Sequence, residues 1–286
     1  EQLLADRLTE LSEEEQRLLD LIAVAGGPLP HLDVEQLFGS EAEEVLNRLT
    51  ARGLVEAREG KLDVKHPLTR DVAYRSMSAE RRAELHRGLG ELLASSGQNR
   101  GIHAAVVARH LAKGGNTDQA AELYLEAAGV ARGSYQMGLA TRSYKKVVAI
   151  LPSEDPRLLE AHEALEAIAR NEGRWKERRV HLEKLRELSM RSQDGYWVAT
   201  SLLRTARYEL DGGHLARAAK IAYQSEQAAI QAETEVVAVQ SRALLAEVLR
   251  DLGDMQGALS AVDRALAIAD HPEVTDRLRA EVLRAK

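Results

Sequence analysis

The stretch Leu252-Gly253-Asp254-Met255-Gln256-Gly257-Ala258, followed by Val262, Ala265 and Leu266, has counterparts further up the chain. Gly173, Gly213 and Gly253 are spaced by 40 and 40. Seven residues before the last two glycines stand Ala206 and Ala246. Five after them stand Ala218 and Ala258, and nine after them Ala222 and Val262. The first copy is degenerate, with Glu166, Arg178 and Leu182 at those places. Small residues in this register let paired helices approach closely, and a glycine ends one helix so that the next folds back.

The composition agrees with a helical chain. Among 286 residues Ala occurs 44 times and Leu 42 times, against ten aromatics and six Pro. That balance favours helix over a sandwich or barrel. Mean hydropathy is −0.33, and no apolar run approaches the ~18 residues of a membrane span. The absence of Cys excludes disulfides, thiol catalysis and thiolate metal sites. A net charge of −6 makes the whole chain a poor match for nucleic acid. The chain opens at Glu1 in a helical pattern without a signal peptide, so it is expected to be a piece of a longer cytoplasmic protein.

Residues 1–77 have a different texture. Ser12 and Glu15 form a capping box, with Leu18, Leu19, Ile22 and Ala25 on one face and Gly26-Gly27-Pro28 as the stop. Asp33 and Gln36 open a short second helix, and Ser40 and Glu43 suggest a second capping box before Val45, Leu46 and Leu49. Residues 54–57 and 61–64 alternate apolar and polar around Glu59-Gly60, the one good hairpin signal. Three helices followed by a two-stranded wing is the order of a winged helix. From Ser78 on, helix follows helix. The predicted fold class is therefore mainly α: a winged helix over 1–77, then a helical repeat array over 78–286 with units of about 40 residues.

The last repeat resembles the second helix of a tetratricopeptide repeat (TPR), as do Gly115 to Ala120 with Tyr124 and Ala127, and Ala140, Tyr144, Val147 and Pro152. Its long unit makes it TPR-like: an α-α superhelix. The run Val64-Lys65-His66-Pro67-Leu68-Thr69-Arg70-Asp71-Val72-Ala73-Tyr74, then Arg81 to His86 and Val107 to Leu111, resembles the region after the nucleotide-binding domain of bacterial STAND-type ATPases. These include LuxR-type regulators and ATPases linked to kinases or cyclases. The resemblance implies a winged helix beside an ATPase core and repeats that sense a ligand or partner. It also implies that His66 contacts the phosphates of bound ADP in the resting parent protein. Plant relatives carry Asp after that histidine; here Pro67 follows.

The residues themselves assign no catalysis. The only Gly-Lys pair, Gly60-Lys61, is followed by Leu62 and lies in the wing turn, so a P-loop is missing and ADP or ATP belongs to the parent. His103 and His110 lie seven apart with no third ligand near them, His162-Glu163 lacks a second histidine, and no Gly-x-Ser-x-Gly occurs. No metal or cofactor is expected in this chain. Residues 1–77 hold 16 Asp/Glu and 9 Lys/Arg, a net of −7, and the third helix opens Glu41-Ala42-Glu43-Glu44, which would repel phosphates. The best binding candidate is a strip of Arg170, Asn171, Arg204, Arg207 and Arg250 on the first helices of the repeats. Such a strip suits an acidic peptide, a partner protein or a small carboxylate effector. Trp175 and Trp197 are expected to pack between helices. The function expected is a non-catalytic regulatory and interaction arm of a STAND-type ATPase, touching its own nucleotide-binding domain and no membrane. The alternative is a transcription regulator whose winged helix binds DNA and whose repeats sense an effector.

Overall fold

The computed structural model describes residues 7–96 and 101–267. The described residues are mainly helical with one small three-stranded sheet. Its contacts gather it into two compact units, Glu1–Leu151 and Pro152–Lys286. Among the described residues no helix is long and apolar enough to cross a membrane.

The first unit begins with α1 (Glu13–Ala25), β1 (Leu29–Pro30), α2 (His31–Phe38), α3 (Ala42–Ala51), β2 (Val55–Arg58) and β3 (Lys61–Val64). The capping box at α1 is formed: the Ser12 hydroxyl accepts from the Glu15 N–H, and Glu15 accepts from the Ser12 N–H. Gly26 ends the helix at φ 74. The sequence pattern gives α1 one apolar face. In the fold Leu21, Ala23 and Val24 are buried as well, because α3, β3 and the later helices over Pro67–Ser76 and Ala79–Ser95 surround the helix.

The hairpin turns at Glu59 (φ 51) and Gly60 (φ 73), the paired left-handed conformation that suits a two-residue turn. Val55 opposes Val64, and Ala57 opposes Leu62. Three features of this region depart from the sequence reading. β1 adds a third strand on β3, Leu29 against Leu62, where the residues suggest only a helix stop. The second capping box is absent: no side chain caps α3, and the Ala42 N–H is taken by the Gly39 carbonyl at 3.1 Å. α2 also begins two residues earlier than Asp33, directly after Pro30.

Pro67 opens a helix that the sequence reading did not anticipate, α4 (Pro67–Ser76). Proline suits this place because the first helical N–H has no intrahelical partner. Then come α5 (Ala79–Ser95), capped by Ser78, α6 (Ile102–Lys113), α7 (Thr117–Gly133) and α8 (Met137–Ile150). The core around α1 does not stop at residue 77. Met77 and Leu89 are buried in it, and Leu85 packs against it. α5 and α6 pack very closely at Gly90, where a β-carbon would lie 2.8 Å from the Leu111 side chain.

The second unit is a run of helices: α9 (Arg157–Asn171), α10 (Trp175–Ser192), α11 (Gly195–Asp211), α12 (Leu215–Gln231), α13 (Glu235–Asp251) and α14 (Met255–Leu266). Each packs on its sequence neighbour, and α11 also packs on α13. The 40-residue register holds. Gly173, Gly213 and Gly253 all have positive φ between paired helices. Ala206, Ala218, Ala222, Ala246, Ala258 and Val262 are all buried. Ala206 of α11 shares one apolar cluster with Ala218 and Ala222 of α12.

Candidate functional site

The degenerate copy is where the second unit changes chemistry. At the places that hold Ala206/Ala218 and Ala246/Ala258 in the later copies, α9 presents Glu166 and α10 presents Arg178. Both are buried, Arg178 at 2% exposure and Glu166 at 0%. Arg178 Nε donates to Glu166 Oε1 at 2.6 Å, and its Nη1 donates to Asp211 Oδ2 at 2.8 Å. Asp211 ends α11, so one guanidinium ties three consecutive helices together. The guanidinium carbon lies 5.3 Å from the Trp175 ring centre and 5.0 Å from that of Tyr208. The two rings meet edge-on at 5.5 Å. Burial pushes the Glu166 carboxyl up from its ordinary value, against the Arg178 hydrogen bond and charge that pull it down.

Beside this pair a cleft of ≈ 250 Å³ is lined by Arg170, Asn171, Trp175, Arg178 and Asp211 with the backbone near Ala169 and Gly173. Arg170 and Asn171 were expected at a binding face. Arg178, Trp175 and Asp211 were not assigned to one, and Trp175 is 44% exposed instead of enclosed between helices. Trp197 lies edge-on to Tyr196 at 5.1 Å.

The rest of the arginine strip is not a free basic surface. Arg170 Nε bonds Asp211 Oδ2 at 3.1 Å. Arg204 pairs with Glu163. Arg207 pairs with Glu247 at 2.7 Å, and Arg250 with Asp251 at 3.3 Å. Three of these pairs, Arg170–Asp211, Arg204–Glu163 and Arg207–Glu247, run between copies, because residues about one repeat period apart become neighbours when units stack.

His66 is the exposed residue just before α4. Its carbonyl accepts from the Thr69 and Arg70 N–H groups at 3.0 and 3.2 Å, while its imidazole makes no capping bond. Arg70 is ion-paired with Asp63 of the hairpin.

Among the described residues, other histidines form two close pairs, the first buried and the second partly buried. His86 Nδ1 lies 2.9 Å from His110 Nδ1, and His162 Nδ1 lies 3.0 Å from His181 Nδ1. The first pair has a defined polarity. Arg109 Nη2 can only donate, and it stands 3.2 Å from His110 Nε2. The His110 proton therefore rides on Nδ1 and is given to His86. His86 in turn donates from Nε2 to the Tyr74 oxygen at 3.0 Å. The same arginine nitrogen donates to the Ala25 carbonyl at the end of α1. Burial, and then the neighbouring cations, push His86 down to about 4 and His110 to about 3. His103 is exposed and does not join them. Among the described residues no group of three His, Asp or Glu could hold a metal ion.

No family model matches the sequence, and no curated protein matches it. Among solved structures the chain is similar to a Signal Transduction ATPase with Numerous Domains (STAND) protein with a tetratricopeptide repeat sensor from Pyrococcus horikoshii. The TM-score is 0.46 at 17% identity, covering 97% of this chain and 48% of that one. This chain thus spans about half the length of that protein.

Proposed function

We propose that this chain is a non-catalytic regulatory arm of a cytoplasmic STAND-type signalling ATPase. In this reading residues 1–77 form a winged helix, and residues 78–286 form a TPR-like superhelix that receives a small effector or a partner protein. ADP or ATP is held by a nucleotide-binding domain outside these residues, with His66 reaching toward its phosphates. The observation that carries the reading is the buried register: alanines 40 residues apart, Ala206 and Ala246, Ala218 and Ala258, all enclosed where successive helices pair. Arrays of this kind expose long continuous surfaces, and binding is what such surfaces do. The motif run around His66 supports the link to an ATPase core.

The DNA-binding alternative is disfavoured by the chemistry of α3. Its start carries exposed Glu41, Glu43 and Glu44. Its one arginine and the one just after it are already ion-paired: Arg48 on Glu44 at 3.1 Å and Arg52 on Glu15 at 3.1 Å. Phosphates approaching there would meet net negative charge.

The test has two arms. The longer protein should carry a P-loop ahead of residue 1 and retain ADP, and His66→Ala should speed ADP release. The chain alone should give no gel shift with duplex DNA. A missing P-loop, or a DNA complex that weakens steeply with salt, would overturn the proposal.

A further inference from the structure

We propose that the cleft between the α9–α10 turn and the end of α11 binds a small carboxylate with an apolar or aromatic body. The proposal deepens the effector-sensing reading and rests on it for its purpose, although the binding itself is tested on this chain alone.

The cleft contains a buried donor in want of an acceptor. Arg178 is 2% exposed, its Nε and Nη1 are bonded, and its Nη2 has no partner. An unsatisfied buried donor is costly, and Oε2 of its partner Glu166 is likewise without a hydrogen bond, so the pair does not complete its own polar contacts. Helix pairing does not require it, since the later copies place Ala218 and Ala258 at the same point.

Other free donors converge on the same opening. Arg170 spends its Nε on Asp211, which leaves its terminal nitrogens for a ligand. Asn171 is exposed and offers its amide from the rim. Forked guanidinium donors match the two oxygens of a carboxylate. The Asp211 Oδ2 atom is committed, because it accepts from both arginines. Arg170 and Arg178 are balanced in charge by Asp211 and by Glu166 behind the cleft, so the match to a carboxylate lies in the directed donors and not in a net charge. Trp175 supplies an apolar wall, held edge-on by Tyr208. At ≈ 250 Å³ the space lies below the ~300–1,000 Å³ of drug-sized pockets, so the ligand is small.

The test uses phenylacetate, with phenylacetamide as its uncharged counterpart. Titration is followed by calorimetry and by Trp175 fluorescence in a Trp197→Phe background. Saturable binding is expected for phenylacetate, at least about tenfold tighter than for the amide. Asn171→Asp puts a carboxylate at the exposed rim. It should weaken binding by about tenfold or more and leave the melting temperature unchanged. Arg178→Met should abolish binding, and Asn171→Asp keeps the test decisive if that variant does not fold. Equal affinity for the amide, tighter binding of inorganic phosphate, indifference to Asn171→Asp, or no saturable binding would each overturn the proposal. None of these results touches the ADP and DNA tests, so the two readings fail separately.

Discussion

Removing either partner of the Glu166–Arg178 pair should be far more damaging than removing both. Each side chain is almost wholly buried, and the bond between them is 2.6 Å. Losing one partner of such a pair leaves a charge without water or counter-ion, at a cost of about 3–5 kcal/mol. The two single variants should nevertheless differ. In Glu166→Ala the arginine keeps Asp211 at 2.8 Å and its contacts with Trp175 and Tyr208. In Arg178→Ala the carboxylate has no such second partner, and burial already pushes its pKa up. A carboxyl whose folded pKa lies above its unfolded value binds its proton more tightly when folded. Such a group destabilises the fold as pH rises past the unfolded value. The stability of Arg178→Ala should therefore fall above about pH 4.5, by up to about 1.4 kcal/mol per pH unit until the folded pKa is passed. The double variant restores the Ala/Ala arrangement of the later copies and leaves no buried charge. It should be more stable than Arg178→Ala at pH 8, with a coupling energy of about 0.5–3 kcal/mol. Both tryptophans, Trp175 and Trp197, lie in the second unit, so their fluorescence in a urea titration follows that unit directly. Additive losses in the double variant, or an Arg178→Ala stability that ignores pH, would refute the reasoning.

Three further outcomes are expected. Ala246→Leu together with Ala258→Leu should lower stability by about 1–3 kcal/mol per site through overpacking, read by thermal melting; an unchanged midpoint would mean these alanines do not separate packed helices. His66→Ala should leave the melting of this chain within about 0.5 kcal/mol, because its exposed side chain makes no capping bond. The His86–His110 pair should make the first unit acid-labile. Its folded pKa values, about 4 and about 3, lie below the ordinary 6.5, so the stabilisation is complete above that value and is lost as pH falls. Each proton taken up adds a slope of at most about 1.4 kcal/mol per pH unit. Histidine proton resonances should show at least three imidazoles still neutral at pH 5.5, those of His86, His110 and His162, and His110→Gln should remove one of them and flatten the acid slope.

What was legible in the sequence was local or periodic. The Ser12–Glu15 box, the Glu59-Gly60 turn and the stop at Gly26 are decided within a few residues, and all three form. β1 is two residues long and exists only because Leu29 meets Leu62 across the fold, which no local pattern announces. α4 has little apolar periodicity of its own and is anchored by the buried Thr69 and Ala73. The arginine strip failed as a free surface for a different reason. A helix face read alone shows its cations, while their partners lie elsewhere in the chain. Yet the period already held the answer for three of them, since Asp211 lies 41 residues after Arg170, Glu163 lies 41 before Arg204 and Glu247 lies 40 after Arg207.

The same logic turns the degenerate copy from noise into signal. In a repeat array the facing positions must be filled compatibly, and two alanines are the cheapest filling. A single charged residue at one of them would be selected against by several kcal/mol. Opposite charges at both positions together, Glu166 facing Arg178, are therefore not a loss of pattern but a paired replacement. The replacement still leaves Nη2 of Arg178 unpaired, so packing alone does not account for the guanidinium. Where a repeat departs from its pattern at two facing places at once, and the departure leaves a donor unsatisfied beside a cleft, the energetics point away from scaffold and toward a site. That is why the copy least like a repeat, and not the two that keep its pattern, is where a ligand should be sought.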